Sequence, residues 1–156
     1  MDLVVEPAQE SDIDRLMDIQ FSAFENDPYH EALYPGNHYS PANRKSAGER
    51  TIKAWRADPT LHFLKCTNRQ SGVIMGYAQW NLYATERPET EWNKDVQVDW
   101  ATGRQKEIAK NFLVANFGIR KKIWGGRPYL CEYLTGVNAV MSQHDRDTSA
   151  DCSCSA

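Results

Sequence analysis

Glu132 is the one carboxylate inside an aromatic and apolar run, Tyr-Leu-Cys-Glu-Tyr-Leu-Thr over Tyr129–Thr135. Entered through Pro128, that run reads as a β-strand. Partial burial in such a strand would raise the pKa of a glutamate, so that it accepts a proton near neutral pH as a general base. The bland alternative is a glutamate facing outward from an uncovered strand. A second grouping lies upstream, where Phe24, Asp27, Tyr29 and Tyr34 gather three rings and a carboxylate within a short stretch. Such a set walls a pocket for a small molecule, or pins a surface loop by its own aromatics. Trp80 and Tyr83 lie in a third run, where strand aromatics serve either a cleft or a core. His30, His38 and His62 have no serine or cysteine in a triad-like arrangement and read as structural or solvent-facing.

The residues after Thr135 are equally informative. An α/β ligand site usually places a glycine-rich turn and a helix N-terminus after such a strand, because those supply backbone N–H groups and a positive dipole end for phosphate. Here Gly136-Val137-Asn138 leads into a polar run, Met141–Ala156, that ends Asp-Cys-Ser-Cys-Ser-Ala. With little apolar surface to offset ordering entropy, the segment from Asn138 onward is expected to be disordered. Cys66 and Cys131 fall within strand-like segments, where a free cysteine behaves as a small hydrophobe. Cys152, Cys154 and His144 are three loosely spaced groups, short of the four ligands a structural zinc requires, so no metal is expected.

The elements that must position these residues can be read from periodicity. Leu3–Glu6 is a short strand stopped by Pro7. Ser11 and Asp14 have capping-box spacing and open a helix over Asp12–Phe24, with Ile13, Leu16, Met17, Gln20, Ala23 and Phe24 on its core face. Tyr29–Tyr39 reads as an aromatic loop. Ser40-Pro41 starts a second helix, closed by Asp58-Pro59, with Ala47, Thr51, Ile52 and Trp55 as a thin stripe. Leu61–Cys66 and Val73–Tyr83 are strands joined by a hairpin loop. In the second, Ile74, Gly76, Ala78, Trp80 and Leu82 share one face. Tyr77, Gln79, Asn81 and Tyr83 share the other, a partly polar face suited to lining a cleft. After an irregular acidic stretch, Thr102 and Gln105 form another capping box before a helix from about Gly103 to Trp124. Ile108, Phe112, Ala115, Ile119 and Ile123 are its apolar stripe, and Gly125-Gly126 ends it. Its six basic side chains read as a solvated outer face rather than a phosphate patch.

Composition bounds the rest. A chain of 156 residues, 41% hydrophobic and with five Trp, seven Tyr and five Phe, suits one domain with a real core. A net charge of −3 gives no basic field for nucleic acid or an anionic membrane. The longest apolar runs fall far short of the roughly 20 residues that span a bilayer. No basic, then apolar leader opens the chain. An intracellular, cytoplasmic or also nuclear protein is expected, with neither nucleic acid nor membrane as partner.

The element order, with the stretch Leu3–Phe24, Asn26-Asp27-Pro28 before Tyr34-Pro35-Gly36, and Ile74-Met75-Gly76-Tyr77-Ala78-Gln79-Trp80, resembles the GNAT superfamily of acyl-CoA-dependent N-acetyltransferases, in particular a fungal-type subgroup. The last stretch is similar to the third GNAT strand, and the long insertion at about 84–127 is also like that subgroup. Tyr129–Thr135 would then be the fourth, central strand. The resemblance covers roughly residues 3–135. It implies an α/β fold with a mixed, mostly antiparallel sheet flanked by helices, and acetyl transfer from acetyl-CoA to a small-molecule or protein amine.

In that setting Glu132 would be the base, and Phe24, Asp27, Tyr29, Tyr34, Trp80 and Tyr83 would wall the acceptor. The backbone of Leu134 and Thr135 would pair with the pantetheine arm. The resemblance stops after Thr135, where a Gln/Arg-x-x-Gly-x-Gly turn for the pyrophosphate is expected and none stands. The expectation is therefore a GNAT-like portion over 1–137, truncated at its C-terminal side, with impaired coenzyme binding and a sheet edge open to self-association. The other reading is a non-catalytic binding module or an inactive gene product.

Overall fold

The computed structural model describes residues 2–37, 40–92 and 95–137. Strand β1 (Leu3–Pro7) leads through a single 3₁₀ turn, Glu10–Asp12, into α1 (Ile13–Ala23) and the short α2 (Pro28–Leu33). Helix α3 (Pro41–Ala57) precedes the hairpin β2 (Leu61–Asn68) and β3 (Ile74–Tyr83). Between β3 and β4 (Tyr129–Val137) come the one-turn α4 (Glu89–Trp92) and the long α5 (Gly103–Trp124). The four strands form one antiparallel sheet in the order β1-β2-β3-β4.

Strand alternation sorts the sheet into two faces. Phe63 pairs with Gln79, Lys65 with Tyr77 and Asn81 with Cys131, and these point toward the helices. The core lies there: Ile13, Leu16, Met17, Ile19 and Phe21 of α1 pack against Ala47 of α3 and against Phe63, Ile74 and Tyr77 of the sheet. The opposite face carries Val5, Leu64, Leu82 and Leu130, exposed among the described residues.

Several sequence expectations give way here. The capping box at the start of α1 belongs to Gln9 and Asp12, not Ser11 and Asp14: Gln9 N–H donates to Asp12 Oδ2 at 2.8 Å. The 3₁₀ turn takes up the residues in which the helix had been expected to start. The segment expected as a loop after Pro28 holds α2, because Asp27 caps it and Pro28 occupies its first turn. Asn26 adopts φ 65°, a left-handed conformation that asparagine tolerates, and so turns the chain from α1 into α2.

Helix α5 has the expected ends, but its buried side is a different one. Ile108, Ile119 and Ile123 are 42%, 59% and 48% exposed, whereas Ala109 is fully buried with Leu113 packed beside it. The capping box is also not formed. Gln105 Nε2 donates instead to the carbonyls of Glu31 (3.4 Å) and Ala32 (3.1 Å), and so docks α5 on α2. The segment from Asn138, with His144, Cys152 and Cys154, and residues 38 and 39 lie outside the described residues.

Leu16 is fully buried at the centre of the α1–sheet contact. Leu16→Ala is expected to lower unfolding free energy by about 2–5 kcal/mol in denaturant titration, from lost transfer energy and a residual cavity.

Candidate active site

The cleft is assembled from α1, α2, α3, α5 and the helix-side face of β3. Asp27 Oδ1 accepts hydrogen bonds from Tyr29 N and His30 N, both at 2.8 Å, which satisfies donors at the start of α2 and fixes the helix against the end of α1. That places His30 inward, where it is 5% exposed. Its imidazole stacks between Phe24 (5.6 Å, 10°) and Tyr34 (4.7 Å, 22°), with Phe21 edge-on at 5.0 Å.

The polar edge of this stack has fixed proton positions. Tyr77 Oη donates to Gln20 Oε1 at 2.7 Å, so the Gln20 amide nitrogen is the donor in its 2.9 Å contact with His30 Nε2. With the amide in this orientation His30 Nε2 is the acceptor. Burial pushes the Tyr77 phenol well above its ordinary value, with Tyr34 adding to the shift, so Tyr77 remains a donor. The sequence marked His30 as structural or solvent-facing, and the structure buries it.

Two adjoining lobes open above this wall. The smaller, about 400 Å³, is aromatic and lies between α2 and α5; Phe24, Tyr29, His30 and Tyr34 face Phe112 and Phe117 across it. Tyr29 and Phe112 rings approach to 5.4 Å. The larger lobe, about 600 Å³, lies against Gln79, Asn81 and Tyr83 of β3. Tyr34, Leu33, Leu113, Phe117 and Arg120 line both. The polar floor of the larger lobe is closed internally: Asn81 Nδ2 donates to Asp58 Oδ2 (3.2 Å) and Thr60 Oγ1 (3.0 Å), and Asp58 Oδ1 accepts from Thr60 N and Oγ1.

Phe24, Asp27, Tyr29 and Tyr34 thus meet at the aromatic lobe, and Tyr83 lies at the larger one. Trp80 does not line either lobe. It alternates with Gln79 and Asn81 along β3, so its side chain leaves by the other face of the sheet. Glu132 is set apart for the same reason. It pairs with Trp80 and is exposed, while Tyr129 and Cys131 before it are buried toward the helices. The expected base therefore stands outside the cleft.

Leu134 and Thr135 lie on the backbone of β4 beside an irregularity. Leu134 pairs with Gln79 and Glu132 with Trp80, so β4 has one extra residue, Tyr133, at this point. β4 is the last strand of the sheet among the described residues, leaving its second edge unpaired. Gly136 keeps β4 close to the cleft wall: a Cβ there would lie 3.3 Å from Ile19 Cγ2, 3.4 Å from Tyr77 Cε1 and 3.8 Å from Gln20 Cα.

No protein-family model matches this chain, and no curated protein matches it in sequence. Solved structures do. A histone acetyltransferase HPA2 and related acetyltransferase from Corynebacterium glutamicum is 17% identical with a TM-score of 0.53, over 93% of this chain and 65% of that one. The C-terminal condensation domain of Ebony, in complex with beta-alanyl-dopamine, is 14% identical at 0.61, over 95% and 64%. A mosquito arylalkylamine N-acetyltransferase like 5b is 10% identical at 0.52, over 92% and 65%. The fold is GNAT-like. This chain spans about 65% of the length of each of these structures. Among the described residues of this GNAT-like fold, no helix is long and apolar enough to cross a membrane, and no cluster of His, Cys, Asp and Glu could hold a metal ion.

Removing the Tyr77 hydroxyl leaves the buried Gln20 carbonyl without its donor. Tyr77→Phe is expected to cost about 1–3 kcal/mol of stability in chemical denaturation, the usual cost of an unsatisfied buried polar group.

Proposed function

We propose that the cleft between α2 and α5 is the amine site of an acyl-CoA-dependent N-acyltransferase, in which an alkyl amine that carries an aromatic ring receives an acetyl group from acetyl-CoA. The observation that carries this reading is the convergence of Phe24, Tyr29, His30, Tyr34, Phe112 and Phe117 on one lobe with a carboxylate, Asp27, in its wall. Rings of this kind favour offset or edge contact with an aromatic guest. Asp27 has one oxygen occupied by backbone donors and a second, Oδ2, with no partner among the described residues. That oxygen holds the ammonium of an incoming amine and is placed to take its proton, the role the sequence had put on Glu132.

The donor side rests on β4. Its unpaired edge fits an amide-bearing arm, through backbone groups at Leu134 and Thr135 next to the extra residue. Acetyl-CoA would supply the activated thioester there. Residues 137–156 contain no glycine, so the glycine turn that usually follows such a strand to hold phosphates is not found directly after β4. Coenzyme binding is accordingly expected to be weak, since each lost charge-assisted hydrogen bond is worth roughly 1.5–3 kcal/mol. That absence favours a second reading, a module that binds such an amine without acylating it.

Measuring CoA release at high acetyl-CoA with a panel of arylalkylamines separates the two. Release that depends on the amine supports transfer; amine binding without any release supports the module. Asp27→Asn keeps the helix cap, because asparagine caps about as well as aspartate, but removes the charge. It is expected to weaken arylalkylamine binding about tenfold in calorimetry, the scale of one charge-assisted contact, while leaving the melting curve in place. Unchanged affinity in this variant would rule Asp27 out as the ammonium partner.

A further inference from the structure

Two arginines line the larger lobe without forming an ion pair among the described residues. Arg50 of α3 lies over the rings of Tyr34 (5.2 Å) and Trp100 (5.0 Å). Arg87, between β3 and α4, lies over Tyr83 (5.0 Å), Trp92 (4.7 Å) and Phe117 (5.7 Å). Both line the larger lobe, and their ring partners Tyr34 and Phe117 line both lobes. Neither guanidinium forms an ion pair among the described residues.

Aromatic rings occupy the faces of a guanidinium and leave its donors, which lie in its plane, to find acceptors elsewhere. Arg87 has one long bond, from Nη2 to the Glu91 carbonyl at 3.5 Å, and it acts on the nearby Tyr129 hydroxyl, but its buried Nε has no partner. Trp100 Nε1, on the same lobe, is also buried without a partner. Burial lowers the Arg50 pKa against the raising influence of Tyr34 and Asp99, as expected of a charge that is incompletely compensated.

Three of the four acids that line the lobe are engaged, and the fourth, Asp99, faces Arg50's field. Asp95 pairs with Lys110 at 3.0 Å, Asp58 accepts from Thr60 and Asn81, and Glu91 is engaged. Asp99 acts on Arg50 only from beyond ion-pair distance. Arg87 Nε and Trp100 Nε1 thus remain as buried donors on this lobe without a partner among the described residues. Buried donors seek acceptors, and a guanidinium fork matches an oxyanion.

We propose that Arg50 and Arg87 receive the carboxylate of the acceptor in the larger lobe, so that this site takes an amine of aromatic-amino-acid type rather than a simple arylalkylamine. The ring fills the aromatic lobe, the carboxylate meets the arginines and the ammonium reaches Asp27. This rests on the amine-site reading above and adds the class of amine.

The test compares calorimetric binding of L-phenylalanine and 2-phenylethylamine, which differ by one carboxylate, to the full chain without coenzyme. Phenylalanine is expected to bind about tenfold tighter or better. Arg50→Gln and Arg87→Gln, checked for an unshifted melting curve, are expected to remove most of that preference. Wild-type discrimination stands without the variants should either fail to fold. Equal or tighter binding of phenylethylamine, binding of neither, or a preference that survives both variants would overturn the proposal. So would competition between acetyl-CoA and phenylalanine for the site, which would assign the oxyanion to the donor instead. Acetyl transfer to phenylethylamine without carboxylate preference would sink this inference and leave the acyltransfer reading intact. Selective phenylalanine binding with no CoA release would do the reverse.

Discussion

The buried amide of Gln20 has to be satisfied at both ends, and much of the cleft depends on how that is done. A primary amide removed from water needs an acceptor for its nitrogen and a donor for its oxygen, or it costs more than most single contacts return. Gln20 finds the donor on the sheet, in Tyr77, and the acceptor on α2, in His30. One side chain of α1 therefore ties β3 to α2. Because the tie fixes the imidazole edge, it also fixes the plane of the ring, and Phe24 and Tyr34 can only stack on its two faces. The aromatic wall of the smaller lobe is a consequence of polar satisfaction rather than of apolar packing alone.

The second constraint is the placement of α5. Gln105 donates to the last carbonyls of α2, which a six-residue helix leaves open, and this holds α5 across the mouth of the cleft. The face of α5 that carries Ala109, Leu113 and Phe117 then looks inward and closes both lobes. A separate aromatic cluster, in which Trp92 and Trp124 stack on Tyr129, seals the other end of the insertion against β4. Arg87 sits at the seam of this cluster. It is held by ring faces on several sides, which explains how a guanidinium remains there with so few hydrogen bonds.

Much of the fold was legible in the chain because it depends on local period and local capping. Alternation along Ile74–Tyr83 separated the polar face of β3 from its apolar one before any partner was known, and Gln79, Asn81 and Tyr83 do line a cavity. The C-terminal end of α5 was written in Gly125-Gly126, whereas the Thr102–Gln105 box read at its start does not form. The cap of α2 was also present, in Asp27-Pro28, but a six-residue helix has too few positions to show a period, so the segment read as a loop. The Phe24–Tyr34 grouping was visible as a cluster of rings without any indication that His30 was its centre.

By itself the sequence determined which residues alternate, where helices open and close, and which short stretches are rich in rings. For β4 and α5, tertiary structure decided which side is inside. Glu132 is one residue from Cys131, and a strand's period of two places one inward and the other outward; only the helices on one face of the sheet say which. Helix α5 has apolar residues on two sides, and the docking of Gln105 on α2 selected Ala109 and Leu113 over Ile108 and Ile119. Arg50 and Arg87 are separated by 37 positions and carry no motif, so their meeting at one cavity is a product of packing between α3 and the insertion. Periodicity is a property of the chain, whereas burial is a property of its neighbours.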